Sequence, residues 1–490
     1  MIAFDFIFER PVTAEAAYKL WAQAVEAGKK PIYFSGGTEV VTAMRKGTVK
    51  AEVVIDLKGI EAYKTLGLGN SPVSADALWI GGGVALGALE EAMPGTLLSE
   101  VARGIADHTV RNTLTIGGNL CGRLPYREMA LGLLTLGAAV VLYGPEGLVK
   151  RPMAEVFHKR LELKAGEFLL GFELAPAALA ETRYFRRRRQ KQTETDYPIC
   201  HTVVTRRGES YSVAVSGVSA YVWFGEKTSA RVETGASPQD QAMVIWERLE
   251  ELAVDDLRAS KAYKLGLLKR DLVEAFSKLE DPGERRDFAE SGHSRVTGDP
   301  ADAGAGGEAG EQVQDGGSFE GHSLEAKAGK LEEASRYSGL TEIAVEINGK
   351  LRTLAVRPSE TLLNVLRQTA GHTGAKPGCE NGDCGACTVL LEGRPVKSCL
   401  MLAVEAKGRA VMTVEGLGNT AIQQAFVECG GFQCGYCTSG FLVNAWAMLE
   451  AHPEADEAVQ REWLSANLCR CTGYEGIRDA VERAKTVKRS

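Results

Sequence analysis

Cysteine spacing constrains this chain more than any other feature of its sequence. Nine of the eleven cysteines lie between residues 379 and 471, and eight of these form two sets of four. The first set has the pattern C-x4-C-x2-C followed by a fourth cysteine, a spacing that holds [2Fe–2S] clusters. The second set has C-x2-C followed by C-x-C, and its presence in the same region favours a second cluster. The two sets are Cys379, Cys384, Cys387 and Cys399, and Cys434, Cys437, Cys469 and Cys471.

Disulfides and structural zinc are the other uses that such cysteines can have. Disulfides are disfavoured because the chain shows no secretory signal at its start and is large enough to build a core without cross-links. Zinc sites made of four cysteines use pairs with C-x2–4-C spacing, so either set could contribute such a pair. Three thiols on the glycine-rich loop 379–387 fit zinc poorly, as does the one-residue separation of Cys469 and Cys471. Iron–sulfur clusters are therefore favoured, and zinc remains the alternative.

Length and charge limit the remaining possibilities. A chain of 490 residues predicts roughly two to four domains. A formal net charge of −7 gives no general attraction to nucleic acid, and no apolar run has the length of a transmembrane helix. The arginine run 186–189 is interpreted either as a solvated edge or as a surface that faces a phosphate-bearing cofactor. Because of the negative net charge and the lack of a long apolar run, we expect no nucleic-acid or membrane partner. Since metal-binding cysteines belong in a reducing compartment, we expect a cytoplasmic protein.

Composition and periodicity divide the chain. Residues up to about 280 have mixed helix and strand patterns. The segment 281–339 is rich in Gly, Ala, Glu, Asp and Ser, and it is predicted to be a flexible linker because it cannot bury enough apolar surface to fold. Alternation over 343–350 runs into an Asn-Gly turn, which predicts a hairpin at the start of a β-grasp domain. From Thr420 onward the periodicity is helical.

Two glycine pairs in the first part indicate a cofactor site. The strand 30–34 leads into the loop 35–39 and then into a helix, and the second pair lies in the segment 115–119. Bare N–H groups at a helix start attract anions such as a pyrophosphate, and glycine lets the backbone approach a ligand closely. Thr38 is predicted to cap its helix. The segment 79–87 is also glycine-rich, but its spacing is not G-x-G-x-x-G, so no Rossmann domain is assigned.

Taken together, these motifs resemble those of the electron-transfer portion of the molybdenum hydroxylases, the family of xanthine dehydrogenase and carbon monoxide dehydrogenase. The segments that carry the resemblance, besides the first cysteine set, are 35–39, 115–119, 431–438 and 469–474. The resemblance implies an α+β multidomain fold with a two-lobed FAD-binding part, a ferredoxin-like β-grasp [2Fe–2S] domain and a helical-bundle [2Fe–2S] domain. The implied divisions are 1–170 for the FAD-binding lobe, 171–280 for the second lobe, 281–339 for the linker, 340–413 for the β-grasp domain and 414–490 for the helical domain.

The resemblance also implies roles for individual residues. The residues expected to bind FAD are Ile32, Ser35, Gly36, Gly37, Thr38, Glu39, Thr115, Gly117, Gly118, Asn119, Glu128 and Arg186. The eight cysteines are expected to hold the two clusters, with the second set nearer to molybdenum. Gln433 and Cys471 match positions that approach the pterin in relatives. No catalytic residue is assigned, because passing electrons requires no acid–base pair of the protein.

In this family a molybdenum–pterin cofactor on a large subunit or domain oxidises the substrate. Electrons then pass through the two clusters to FAD, which reduces NAD+ or another acceptor. The resemblance thus implies an oxidoreductase subunit of xanthine dehydrogenase-like type, with a purine such as xanthine as the substrate. Carbon monoxide, nicotinate or an aldehyde are alternative substrates. An alternative from a different class is a zinc-bearing interaction module fused to a nucleotide-binding domain.

Three features depart from the family's usual pattern. No molybdenum-binding domain is found, so a large partner chain in a higher heteromer is expected. The FAD-binding part precedes the iron–sulfur part, whereas single-chain relatives have the opposite order. The segment 124–128 differs from the Ser-Pro-x-Ser-Asp-like sequence of relatives, and Glu128 stands where they have an acidic residue. Arg186 falls near a lysine of the family's second lobe.

Overall fold

The structure is a computed structural model that describes residues 2–191, 195–225, 237–280 and 339–488. The linker predicted at 281–339 lies outside the described residues, apart from Gly339. Within the described ranges, none of the helices has the length and apolarity that crossing a bilayer requires.

A small parallel sheet opens the chain. Its strands are β1 (Ile7–Glu9), β2 (Pro31–Phe34) and β3 (Val53–Asp56), in the order β1–β3–β2. Parallel neighbours need crossover connections, and here helices α1 (Ala14–Glu26) and α2 (Thr38–Arg45) supply them. The sheet therefore places the loop 35–39 at the carboxyl end of β2, where a helix begins.

A larger antiparallel sheet completes the first lobe in the order β4–β5–β8–β6–β7. Its strands are β4 (Leu66–Leu68), β5 (Leu78–Gly81), β6 (Ala139–Gly144), β7 (Gly147–Pro152) and β8 (Phe168–Leu174). The accompanying helices are α3 (Glu61–Lys64), α4 (Leu86–Ala92), α5 (Leu97–Arg103), α6 (His108–Arg111), α7 (Ile116–Cys121), α8 (Met129–Thr135), α9 (Met153–Val156) and α10 (Pro176–Ala180). The sheet continues to Leu174, beyond the division predicted at residue 170. Gly81, the last residue of β5, and the two glycines that follow it pack on Tyr63. A Cβ added to Gly81 would lie 2.4 Å from the Tyr63 carbonyl oxygen.

A second lobe follows as a four-stranded antiparallel sheet covered by two helices. The strands are β9 (Arg183–Arg189), β10 (Cys200–Arg207), β11 (Ser210–Ser216) and β12 (Trp223–Phe224), in the order β12–β11–β10–β9. The helices are α11 (Pro238–Leu252) and α12 (Lys261–Glu280). Their buried residues, such as Leu249, Leu268 and Phe276, form one cluster with Phe185 and Val204 of the sheet.

A five-stranded mixed sheet in the order β14–β13–β17–β15–β16 forms the β-grasp domain. Its strands are β13 (Thr341–Ile347), β14 (Lys350–Val356), β15 (Thr388–Leu391), β16 (Arg394–Lys397) and β17 (Ala410–Met412). The predicted hairpin is confirmed, with Asn348 and Gly349 at positive φ between β13 and β14. Helix α13 (Leu362–Asn364) continues as a π-helix over Val365–Thr369.

Four helices follow the β-grasp domain, as the periodicity after Thr420 predicts. They are α14 (Ala421–Glu428), α15 (Thr438–Ala451), α16 (Glu457–Leu464) and α17 (Glu475–Lys488). Phe426, Phe441 and Ile477 belong to their common core. The second cysteine set lies at the start of α15 and in the loop between α16 and α17.

The parts of the chain on either side of the predicted linker pack together closely. Phe34 and Met44 of the first lobe belong to the same buried cluster as Leu363 and Leu400 of the β-grasp domain. Arg45 donates a hydrogen bond to the Cys399 carbonyl at 3.1 Å. The first lobe and the β-grasp domain therefore share one hydrophobic core.

Candidate cofactor sites

A cavity of about 1480 Å³ opens between the first lobe, the second lobe and the two cysteine-bearing domains. Both glycine loops line it, as do Tyr197 of the second lobe, Asn381 of the first cysteine loop and Leu468 beside the second cysteine set. The predicted FAD-binding residues that line the cavity are Ile32, Ser35, Gly36, Gly37, Thr38, Glu39, Thr115, Gly117, Gly118, Asn119 and Glu128. Arg186 is the exception: Arg188, two residues further along the same strand face, lines the cavity in its place.

The two glycine loops hold each other in place. A hydrogen bond of 2.7 Å joins the hydroxyls of Ser35 and Thr115, and Gly118 donates its N–H to Thr115 Oγ1 at 3.0 Å. A Cβ on Gly36 would lie 2.1 Å from the Thr113 carbonyl oxygen, and Gly37 has a positive φ of 75°. Only glycine is compatible with both positions, so the backbone of this loop is exposed to the cavity without side chains in front of it.

The structure corrects the prediction that Thr38 caps helix α2. Gly37 occupies the N-cap position in a left-handed conformation, Thr38 is the first helical residue, and no side chain caps the helix. The first N–H groups of α2 therefore stay available for a bound anion. Two other predicted FAD-binding residues already accept hydrogen bonds within the chain. Glu39 accepts one from the Arg123 N–H, and Asn119 accepts one from the Met129 N–H.

Glu128 lies in a buried polar cluster that joins the two lobes. Its Oε1 accepts hydrogen bonds from Arg188 Nε at 2.8 Å and from His201 Nδ1 at 2.7 Å. Arg186 Nε donates to the other ring nitrogen of His201 at 3.2 Å. Donation at Nδ1 and acceptance at Nε2 together describe a neutral imidazole. His201 thus connects Arg186 to Glu128 through hydrogen bonds.

The arginine run is not a solvated edge, because each of its members has a partner. Arg187 and Arg189 pair with Glu274 and Asp271 of helix α12, both at 2.7 Å. Sequence reasoning missed Arg188 and His201, whose Cα atoms are partners across β9 and β10. The alternation of a strand, which puts Arg186 and Arg188 on one face, is the signal that could have indicated Arg188.

The buried cluster should make the protein less stable in acid. Burial lowers the pKa of His201 from 6.5 to about 4, although Glu128 opposes this change. Burial alone would raise the pKa of Glu128, but Arg188 and His201 hold it at about 2. As the pH falls from about 6.5 to 4, the unfolded chain binds a proton at His201 that the folded chain excludes. The free energy of unfolding should therefore fall by on the order of 3 kcal/mol across this range, and Glu128 continues the loss at lower pH.

Urea midpoints measured across that pH range test this expectation. His201→Gln should flatten the pH dependence, whatever its effect on stability at neutral pH. His158→Gln is the control, because His158 is exposed and lies outside the cluster. An unchanged slope in His201→Gln would contradict the assignment.

The first cysteine set is arranged as two pairs. The Cys379 and Cys384 thiols contact each other, as do those of Cys387 and Cys399. Backbone N–H groups point at the sulfurs: Cys384 N lies 3.2 Å from Cys379 Sγ, and Cys379 N lies 3.3 Å from Cys384 Sγ. Hydrogen bonding by the Cys384 thiol and by the backbone N–H groups of Asn381, Cys384 and Asp383 lowers the pKa of Cys379 to about 5, which favours the thiolate that binds metal.

The second set repeats the two-by-two arrangement. Cys434 and Cys471 have their sulfurs 3.6 Å apart, and Cys437 contacts Cys469. Cys434 and Cys471 are exposed, and so is Gln433. Among the described residues, no three Cys, His, Asp or Glu side chains converge on one point that could hold a single ion. Two thiol pairs in each set suit the two irons of a [2Fe–2S] cluster better than they suit one tetrahedral zinc.

A short hydrogen-bonded connection links the two sets. Leu468, which precedes Cys469, donates its N–H to the Cys384 carbonyl at 3.0 Å. Asn467 Nδ2 donates to the Gly385 carbonyl at 2.9 Å. A Cβ on Gly385 would lie 2.4 Å from the Ala466 carbonyl oxygen, so this approach requires glycine. The two cysteine-bearing segments are therefore in direct backbone contact.

Comparison with known proteins agrees with this arrangement. A family of FAD-binding domains in molybdopterin dehydrogenases matches residues 3–176, a 2Fe-2S iron–sulfur cluster binding domain matches 345–413, and a [2Fe-2S] binding domain matches 413–482. The predicted α+β fold and the three cofactors, FAD and two [2Fe–2S] clusters, are confirmed. In this family the molybdenum–pterin cofactor belongs to a partner.

Individual relatives match parts of the chain. The nicotine 6-hydroxylase small subunit of Paenarthrobacter nicotinovorans is 50% identical over 29% of this chain and 89% of its own length. The nicotinate dehydrogenase small FeS subunit of Eubacterium barkeri is 42% identical over 29% of this chain and 93% of its own. The structure of carbon monoxide dehydrogenase from Oligotropha carboxidovorans is 21% identical with a TM-score of 0.49, and it covers 56% of this chain and 98% of the matched one. With both cysteine domains and the FAD-binding domain matched, the chain belongs to the molybdenum hydroxylase family, in which it joins the flavin and iron–sulfur components in one polypeptide.

Proposed function

We propose that this chain is the electron-transfer subunit of a heteromeric molybdenum hydroxylase. It takes electrons from a molybdenum–pterin centre on a large partner chain, carries them through two [2Fe–2S] clusters to FAD, and delivers them to NAD+ or another acceptor. The observation that supports this most directly is that both glycine loops and segments next to both cysteine sets line one cavity. The Leu468 N–H donates a hydrogen bond to the Cys384 carbonyl, and Leu468 lines the flavin cavity. Asn381 of the first cysteine loop lines the same cavity.

The proposal assigns each cofactor to residues of this chain. The β-grasp cluster is held by Cys379, Cys384, Cys387 and Cys399, and the helical-domain cluster by Cys434, Cys437, Cys469 and Cys471. FAD occupies the large cavity with its pyrophosphate at the loops 35–39 and 115–119. Bound there, FAD exchanges electrons one or two at a time, which lets it join one-electron clusters to a two-electron acceptor. Within the arginine run 186–189, Arg188 rather than Arg186 lines the cavity.

The face around the exposed cysteines is the proposed docking site for the molybdenum-bearing partner. Phe432 and Tyr436, each two residues from Cys434 in the sequence, are 41% and 47% exposed. Large apolar side chains exposed together mark interaction surfaces. A partner seated on this face would cover them and bring its pterin near Gln433 and Cys471.

The partner chain binds the substrate, and we propose that this substrate is a purine such as xanthine. Two of the relatives are named for nicotine and nicotinate, which are nitrogen heterocycles as xanthine is. The same electron-transfer role with nicotinate, carbon monoxide or an aldehyde is the alternative. A cytoplasmic location is part of the proposal, since cluster-binding cysteines require a reducing compartment.

Replacing Gly36 with Ala should abolish most flavin binding and leave both iron–sulfur clusters in place. The added methyl group would lie 2.1 Å from the Thr113 carbonyl and would separate the two glycine loops. Gly266→Ala is the matched control, because nothing lies within 4 Å of a Cβ at that position. The flavin-to-protein ratio and the iron content of the purified variants measure the effect. Full flavin content in Gly36→Ala would contradict the assignment of this loop.

Metal and flavin analysis of the whole chain tests the proposed function. We expect about four irons and one FAD per chain, with two distinguishable electron paramagnetic resonance signals after reduction by dithionite. Zinc without iron, and no flavin, would instead support an interaction module fused to a nucleotide-binding domain. Zinc thiolate sites are also colourless, so the absorption spectrum separates the two functions before any other measurement.

A further inference from the structure

Lys397, the last residue of β16, is a fully buried lysine at the meeting point of three domains. Its side chain is 0% exposed. Its ammonium donates a hydrogen bond to the Ala466 carbonyl of the helical domain and lies 3.6 Å from Asp107 Oδ2 of the first lobe. A buried ammonium is unfavourable unless negative charge and acceptors surround it. Its environment must therefore compensate this charge.

The described partners of Lys397 compensate it only in part. Asp107 also accepts hydrogen bonds through Oδ1, from the Thr109 hydroxyl at 2.7 Å and from Val110 N–H at 3.1 Å. The Ala466 carbonyl is neutral. A carboxylate at 3.6 Å that is shared in this way offsets only part of the positive field that the ammonium exerts on groups beside it.

The first cysteine set lies within reach of that field. Lys397 is paired with Thr388 across β15 and β16, and Thr388 directly follows Cys387. The Ala466 carbonyl that accepts from Lys397 is packed against Gly385, between Cys384 and Cys387. The positive charge is therefore beside the β-grasp cluster site.

Asp107 extends the same charge pair toward the flavin. It lines the large cavity, together with Ala106 and Ile105 of the same loop. The pair Lys397–Asp107 thus has its cation beside the cysteine loop and its anion at the cavity wall. The Ala466 carbonyl, which accepts from Lys397, belongs to the helical domain. The β-grasp domain, the first lobe and the helical domain thus each contribute one residue to this contact.

We propose that the Lys397–Asp107 pair sets the reduction potential of the β-grasp cluster, with the ammonium raising it and the carboxylate limiting that rise. This rests on the proposed function. One-electron reduction adds one negative charge to the cluster, and a nearby buried cation stabilises the reduced form in a medium of low dielectric constant. Lys397 and Asp107 are positioning and tuning residues, not ligands. The ammonium makes the β-grasp cluster a better acceptor of electrons from the helical-domain cluster, and the carboxylate moderates that effect.

Potentiometric titration of the full chain, followed by electron paramagnetic resonance, tests the pair with variants of opposite sign. Lys397→Met should shift the midpoint potential of the β-grasp signal to a more negative value. Asp107→Asn should shift it to a more positive value, because the ammonium then lacks its counter-charge. Lys397→Arg should retain the wild-type potential. The helical-domain signal should move less in every variant.

The two opposite shifts distinguish tuning from packing. A merely structural role predicts shifts in the same direction for Lys397→Met and Asp107→Asn, or none, and either result would overturn the inference. If wild-type protein shows both cluster signals and the variants leave their potentials unchanged, only this inference fails. If wild-type protein contains no iron–sulfur cluster, the proposed function fails and the inference fails with it.

Discussion

Cys384→Ala is expected to remove the β-grasp cluster and leave the helical-domain cluster intact. Cys384 forms a thiol pair with Cys379 and receives the Cys379 N–H at 3.3 Å, so its loss leaves one iron with a single protein ligand. Iron content should fall from about four to about two per chain, and one of the two resonance signals should disappear. Flavin content should stay at the wild-type level, because Cys384 does not line the cavity.

Cys429→Ala provides the matched control. Cys429 lies at the end of helix α14, outside both thiol pairs of the second set. This variant should keep both signals and all of the iron. Retention of both signals in Cys384→Ala, or loss of one in Cys429→Ala, would show that the ligands are assigned wrongly.

Arg111→Met should strongly destabilise the contact between the first lobe and the helical domain. The Arg111 guanidinium is buried, with its side chain 2% exposed, and it pairs with Glu90 at 2.6 Å and Glu462 at 2.5 Å. Removing the cation leaves two carboxylates facing each other in a largely desolvated site. Loss of one partner from a buried ion pair typically costs about 3–5 kcal/mol, so the midpoint of thermal unfolding should fall markedly.

Arg394→Met is the comparison that separates the effect of burying an ion pair from the effect of its charge. Arg394 also joins the two halves of the chain, through two hydrogen bonds to Glu91, but the two side chains are 48% and 57% exposed. Exposed pairs contribute about 1 kcal/mol or less. Differential scanning calorimetry of both variants provides the comparison. Equal effects would mean that the Arg111 pair is not desolvated in solution.

Local patterns predicted those parts of the sites that depend on a few consecutive residues. The cysteine spacings indicated two sets, and the glycine pairs indicated the loops 35–39 and 115–119, because each motif sets its own backbone geometry. The hairpin at Asn348 was predicted for the same reason. Thr38 was assigned a capping role wrongly, since Gly37 adopts the left-handed conformation that places it at the N-cap.

The contacts that sequence reasoning missed join residues far apart in the chain. Glu128 meets His201 from 73 residues away, and Arg111 meets Glu462 from 351 residues away. No local pattern encodes such a partner, because the pairing depends on how β9, β10 and the helical domain pack. Arg186 was predicted from its correspondence with a lysine of the family's second lobe, whereas the fold places Arg188 at the cavity.

The hydrophobic core shared by Phe34, Met44, Leu363 and Leu400 has a consequence during synthesis of the chain. The ribosome completes the first lobe and the second lobe before it makes any residue of the β-grasp domain. Between Leu174, where the sheet of the first lobe ends, and Leu400 the ribosome adds 226 residues (400 − 174). At about 5–20 residues per second, the apolar face of the first lobe therefore stays uncovered for roughly 10–45 s. During that interval a nascent chain presents Phe34 and Met44 to solvent and to other nascent chains. Chaperone binding to the unfinished polypeptide is therefore expected to be concentrated on this face.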